Sequence, residues 1–188
     1  MVANPSRRTH LADAGLLVLA ADGARGLTHR QVDRVADVPA GTTSNYFRTR
    51  DTLLAALADR IFERLQPTAE RLAELATLTP DVEAYADHMD DVVARVTSEP
   101  GLWLALLELR LEATRRPDLH ESLGRTLAAG YAADLTYHRD SGLPGGDESV
   151  ALLHHAIDGL LLDVLTPSIA PGRDTASTVR TLVRRLVG

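Results

Sequence analysis

Apolar positions along this 188-residue chain recur every three or four residues. Leu, Ala, Arg and Glu fill the runs. Strand-like alternation of β-branched with polar residues is missing, so the pattern predicts an all-helical fold. Gly23, Gly26, Pro39, Gly41, Pro67, Pro80, Pro100, Pro117, Pro144, Pro167 and Pro171 punctuate the runs. Such residues sit at helix starts or just past helix ends. The spacing between them predicts nine helices, at roughly 7–22, 29–36, 40–46, 50–66, 80–98, 101–116, 118–141, 147–166 and 173–187.

The second and third of these are short and close together. Thr28 is a good N-cap for the second, and Gln31 three residues on gives a capping-box pattern. Asp37-Val38-Pro39-Ala40 reads as a tight turn. Val32, Val35 and Ala36 form one apolar face, met by Val38, Phe47 and Leu53. Helix, turn of about four residues, helix is the geometry of a helix-turn-helix. Its second helix is dense in Thr, Ser, Asn and Tyr, has no acidic residue, and lies beside Arg48 and Arg50. Asn pairs with adenine edges, hydroxyls reach phosphates or bases, and Arg grips phosphates, so this helix suits a DNA major groove. The same local pattern also fits a solvated capping helix.

Charge sharpens the picture. The chain carries a net charge of −6, with 26 acidic residues against 20 basic ones, all of them Arg. A globally basic nucleic-acid coat is excluded; a local basic surface is not. Residues 1–50 hold seven arginines and only four aspartates, so the N-terminal quarter is basic on an acidic chain. That asymmetry points to an anion-binding end. The chain has no cysteine, which excludes disulfides and thiolate metal sites. Ser6–Leu11 followed by Ala14–Ala21 superficially resembles a twin-arginine export signal, but Asp13 interrupts it and Asp22 stands where small residues belong. We read a helix there, with Leu11, Val18 and Leu19 facing a core. No run approaches the ~20 apolar residues of a membrane span, and the expected location is the cytoplasm.

LTHRQVDRVADVPAGTTSNYFRTRDTLL, residues Leu27–Leu54, resembles the DNA-binding domain of the TetR family of bacterial transcriptional repressors. Thr28, Val32, Val35, Ala36, Val38, Gly41, Thr42, Tyr46, Phe47, Thr49, Arg50, Asp51 and Leu53 match the family pattern, and the first helix, LADAGLLVLAADG, matches too. The GTTSNYFR variant resembles actinobacterial members. Three positions depart from the pattern. Asp37 stands where the family has Gly, at a position expected to need a positive φ. Pro39 replaces the usual Ser, so a side-chain N-cap on the recognition helix is expected to be lost. Ser44 stands where an aromatic residue is common.

The resemblance implies a DNA-binding domain over 1–50 and an effector-binding and dimerisation domain over 51–188. It implies that Thr28 touches phosphate and that His29 and Arg30 lie at the groove edge. Thr42, Thr43 and Asn45 would face bases, and Ser44, Tyr46 and Arg50 would hold phosphates. Arg7 and Arg8 would add contacts ahead of the first helix, and Gly41 would permit close backbone approach. Phe47 and Leu53 would be structural. The implied partners are a double-stranded DNA operator, a small-molecule effector of unknown identity, and a second copy of the chain. A two-fold dimer would place its recognition helices about 34–36 Å apart. No cofactor is implied. The alternative is a helical ligand-binding or dimerisation module that no longer reads DNA.

The remaining two thirds shows no family signature. Val82, Tyr85, Met89, Val92 and Val96 form one helical stripe; Leu119, Leu123, Leu127, Tyr131 and Leu135 form another. Leu102–Leu111 is apolar nearly all round, the mark of a buried helix. Val150, Leu153, Ile157, Leu160 and Val164 on the eighth helix, with Val179, Leu182 and Leu186 on the ninth, form stripes expected to pair with a partner's as a four-helix interface. Both stripes packing inside one protomer is the other possibility. Tyr85, His88, Met89, Trp103, Leu107, Arg110, Tyr131, His154 and Asp158 are candidate ligand contacts on otherwise apolar helices. Arg110 and Asp158 are either an ion pair or an anchor for an acidic ligand. His154, His155 and Asp158 fall within one turn, but no third metal ligand follows at a recognisable spacing. HExxH, GxSxG, GxGxxG and the P-loop are absent, so no metal site and no catalysis are expected.

Overall fold

A computed structural model describes residues 4–188. Among these residues lie ten α-helices and no strand. They are α1 (Pro5–Gly26), α2 (His29–Val35), α3 (Thr42–Tyr46), α4 (Arg50–Leu65), α5 (Ala69–Leu75), α6 (Val82–Ser98), α7 (Pro100–Ala113), α8 (Pro117–Ser141), α9 (Gly146–Leu165) and α10 (Thr175–Val187). The sequence pattern gave nine; the addition is α5. This single pair of turns starts at Thr68, whose hydroxyl accepts the Arg71 N–H at 3.2 Å. It is held by the buried Leu75 and by Arg71, which reaches Asp91 at 2.8 Å.

Contacts divide the chain into two compact units, Met1–Gln66 with Glu99–Ala129, and Pro67–Ser98 with Gly130–Gly188. In this grouping α4 and α7 fall in the same compact unit as the helix-turn-helix.

In the first unit α1 is the hub, packed by α2, α4 and α7. Asn4 caps its start, accepting the Ser6 N–H at 3.1 Å. Leu11, Val18 and Leu19 are buried as expected, with Leu27, Val32, Phe47, Leu53, Leu57, Ile61 and Leu109 around them. Burying one such side chain stabilises by ~1.5–3 kcal/mol. Near its end α1 kinks at Gly23, with φ 66° and ψ −177°. The kink frees the Ala24 N–H, which α7 satisfies through Glu108 Oε2 at 3.2 Å. The second unit is centred on Ala84, Tyr85, Ala86, Leu143, Leu153 and Val183, from α6, α9, α10 and the α8–α9 turn. Arg180 and Arg184 of α10 pair with Asp87, Asp90 and Glu83 of α6 around the rim of this core.

Candidate nucleic-acid interface

The helix-turn-helix is built from α2, the turn 36–41, and α3. Thr28 Oγ1 accepts the Gln31 N–H at 3.1 Å, so the predicted cap on α2 is present. Asp37 takes φ 50°, the positive angle expected of the residue standing in for glycine. It is the single non-glycine residue with positive φ among the described residues. Gly41 follows with φ 90° at the N-cap of α3, a conformation that favours glycine. Bonds from Thr42 Oγ1 to the Pro39 carbonyl (2.6 Å) and from Ser44 Oγ to the Gly41 carbonyl (2.8 Å) close the first turn.

Two side chains brace the far end of α3. The His29 Nε2–H donates to the Phe47 carbonyl at 2.6 Å; the carbonyl can only accept, which fixes the tautomer. The Arg8 guanidinium lies over the Phe47 ring, 4.5 Å from its centroid, and donates to the Tyr46 carbonyl at 3.3 Å. Phe47 itself is fully buried. The far end of the short α3 is thus pinned by groups outside it.

Several predicted DNA contacts are free to meet solvent or a polyanion. Arg7, Thr28, Arg30, Gly41, Ser44 and Asn45 are exposed, and Thr42 and Tyr46 are half-buried; Arg8 is exposed as well, with its guanidinium partly engaged by the Phe47 ring and the Tyr46 carbonyl. His29, expected at the groove edge, is half-buried with its Nε2–H spent on the Phe47 carbonyl, and two others are placed differently. Thr43 was expected to face bases, but it is fully buried and its hydroxyl donates to Asp33 Oδ1 at 2.6 Å. On a five-residue helix one position of each turn must face inward, and Thr43 takes it. Arg50 was expected to hold a phosphate. Its guanidinium instead donates to the Ala24 and Leu27 carbonyls, left open where α1 ends, with Glu112 Oε1 at 3.9 Å. Asp33 went unremarked in the sequence, where an aspartate inside a charged helix looks like surface.

The C-terminal candidates are dispersed. Trp103, Leu107 and Arg110 belong to the first unit; Tyr85, His88, Met89, Tyr131, His154 and Asp158 belong to the second. Trp103 is buried and Arg110 is exposed. His88 is buried with both nitrogens used: Nδ1–H donates to the Ala84 carbonyl (2.7 Å) and Nε2 accepts the Tyr137 hydroxyl proton (2.9 Å). Tyr85 packs against the His138 ring, and burial pushes its hydroxyl up to about 12. His154 bonds Asp134 at 3.1 Å and meets the Tyr131 ring edge-on; the bond to Asp134 holds its pKa above the ordinary value. A cavity of about 540 Å³ opens against α5, α6 and α10, lined by Arg71, Leu75, Asp87, Asp90, Asp91 and Arg180 among others, and none of the nine candidates lines it. The residue missed here is His138, buried with neither ring nitrogen hydrogen-bonded. Among the described residues no group of three or more His, Asp or Glu could hold a metal ion, and no helix is long and apolar enough to cross a membrane.

Residues 80–188, more than half of the chain, match the family model described as tetracyclin repressor-like, C-terminal domain. The chain belongs to the TetR family of transcriptional regulators. This match covers the part in which the sequence showed no signature. A member of the TetR family from Streptomyces coelicolor A3 is similar in structure, with a TM-score of 0.73 and 27% identity over 98% of this chain and 99% of that one. The multidrug binding protein EbrR, solved with imidazole, is similar at a TM-score of 0.69 and 26% identity, covering 98% of this chain and 97% of EbrR. A curated relative, an uncharacterized HTH-type transcriptional regulator from the dhlA 5′ region of Xanthobacter autotrophicus, is 38% identical over 63 residues. That match spans 34% of this chain and about a third, 31%, of the relative's length.

The stripes expected to form the TetR dimer interface are largely spent inside the protomer. Val150, Leu153, Ile157 and Val179 are buried within one chain, and Leu182 and Leu186 pack against the second unit's own core. Leu160 is half-buried and Val164 is exposed. The apolar side chains that α9 leaves uncovered are Leu152, Leu162 and Val164, at 42%, 45% and 39% exposure. A Cβ on Gly159 would meet nothing within 4 Å.

Proposed function

We propose that the protein is a homodimeric TetR-type repressor that binds a palindromic operator and leaves it when a small molecule binds. The observation that carries this reading is the recognition helix. It has no acidic residue, exposes Ser44 and Asn45, and is flanked by the exposed Arg7, Arg8, Arg30 and Arg48 on an otherwise acidic chain. Asn45, Thr42 and Arg30 read base edges; Ser44, Thr28, Arg7 and Arg8 hold phosphates. DNA reading falls to residues 1–50, and effector binding and dimerisation to 51–188. Chromosomal DNA as target places the protein in the cytoplasm.

Dimerisation uses the face of α9 that carries Leu152, Gly159 and Leu162, since an exposed apolar stripe on a helix invites a partner. EbrR has also been solved with ethidium, proflavin and malachite green. That supports an organic molecule as the effector here. A ligand shifts an equilibrium only by its differential affinity, so the effector must bind the operator-incompetent form better.

The test is fluorescence anisotropy with duplexes tiled across the chain's own upstream intergenic DNA, against scrambled controls, over a salt series. One duplex should bind ~10³-fold or more above the controls, and all should weaken with salt. Asn45→Ala and Arg30→Ala should abolish the discrimination. Equal weak binding throughout, repeated in a genome-wide fragment selection, would overturn the reading.

A further inference from the structure

A helix of five residues cannot hold its own first turn. Its opening N–H groups need an acceptor, normally the side chain of the N-cap residue. The residues before α3 are Pro39, Ala40 and Gly41, and none carries a side-chain acceptor. The N-cap of α3, Gly41, accordingly makes no capping bond of its own. The acceptor comes from elsewhere. Asp33 of α2 is 3% exposed. Its Oδ2 accepts the Gly41 N–H at 2.7 Å, and its Oδ1 accepts both the Thr43 N–H at 2.7 Å and the Thr43 hydroxyl at 2.6 Å.

We propose that Asp33 is the positioning residue of the recognition helix, an N-cap delivered from the preceding helix that fixes the angle at which Thr42, Ser44 and Asn45 are presented. The proposal deepens the DNA-binding reading above and rests on it for its functional half. The geometry accounts for the loss of a local cap at Pro39: the cap is not lost but moved. It also accounts for a buried carboxylate in a domain that faces a polyanion. Three donors face it, so its charge is directed inward. Burial pushes this carboxyl up, but the hydrogen bonds from Thr43 and Gly41 outweigh burial and hold it below its usual value. Asp33 therefore stays anionic at neutral pH. Moving the acceptor to α2 has a mechanical result. A local cap would steady α3 alone, whereas Asp33 ties α3 to α2.

Two readouts test this on the whole chain. Amide hydrogen exchange of the free protein should show Gly41 and Thr43 protected, and Asp33→Ala should abolish the protection at those two amides first. Anisotropy should show the ratio of operator to scrambled-duplex affinity falling at least tenfold in Asp33→Ala. Affinity for the scrambled duplex and its salt slope should hold, since no arginine has been touched. A merely structural role would lower the melting temperature and leave the ratio intact well below it. Should Asp33→Ala not fold, Thr43→Val removes one of the three bonds and should give a smaller loss of the same kind. Unchanged protection, or an unchanged ratio in a folded variant, overturns the proposal. If the wild type itself fails to discriminate, the repressor reading falls, while hydrogen exchange still decides whether Asp33 is the cap.

Discussion

Gly23→Ala isolates the kink in α1. Gly23 sits at φ 66° and ψ −177°, a region essentially reserved for glycine, where other residues cost of order 1–3 kcal/mol. The added Cβ would stand 3.5 Å from Glu108 Oε2, an ordinary contact, so the penalty is backbone strain and not a clash. Alanine stiffens the unfolded chain, which returns ~0.4–1 kcal/mol. The net loss is up to about 2.5 kcal/mol and centres on about 1.3 kcal/mol. For a unit of about 100 residues, each kcal/mol moves the melting temperature by ~4–8 °C. Trp103 is the chain's single tryptophan, lies in the same unit and is buried, so its fluorescence reports this unit's unfolding. Gly101→Ala is the control. That glycine is helical, and its Cβ would meet Ala20 at an ordinary 3.6 Å, so the exchange should be neutral or stabilising by up to ~1 kcal/mol. Both variants are compared at one protein concentration. A Gly23→Ala protein that melts with the wild type would refute the strain, and with it the reason Glu108 is needed at the Ala24 N–H.

Three further outcomes are expected. Leu162→Glu places a charge on the uncovered face of α9 and should shift sedimentation equilibrium from dimer to monomer, whereas the exposed Leu111→Glu should not. His138 is buried with neither ring nitrogen hydrogen-bonded, and burial holds its pKa below 6.5. The unfolded chain takes up a proton first, so stability should be lost as pH falls through ~6.5 toward the lowered folded value. His138→Phe should flatten that loss in melting curves from pH 7.5 to 5. His154 runs the other way. Asp134 raises its pKa, so the pair's contribution is complete below 6.5 and fades as pH rises through the raised value. An NMR titration of His154 should return to an ordinary midpoint in Asp134→Asn.

Local chemistry was legible in the sequence. The Thr28 cap, the strained turn residue at Asp37 and the inward faces of Leu11, Val18 and Leu19 all follow from spacing and residue type. What a repeat cannot state is whose surface covers it. The stripes on α9 and α10 are apolar either way, and only the fold shows that the protomer consumes most of them itself. Thr43, Arg50 and Asp33 failed for a related reason. A hydroxyl, a guanidinium or a carboxylate looks alike in sequence whether it faces solvent, DNA or a buried amide. α5 was too short for its periodicity to register.

The companionship of α7 with α1 and α4 bears on how this regulator can be taken apart. Cut after residue 66, the head would leave α1 and α4 without the cover of Leu102, Ala105 and Leu109, all buried in the intact unit. A truncated head should therefore be poorly soluble. A chimera that moves this helix-turn-helix onto another protein would need two splice points, carrying 99–129 along with the N-terminal helices. Modularity here is written in space and not along the chain.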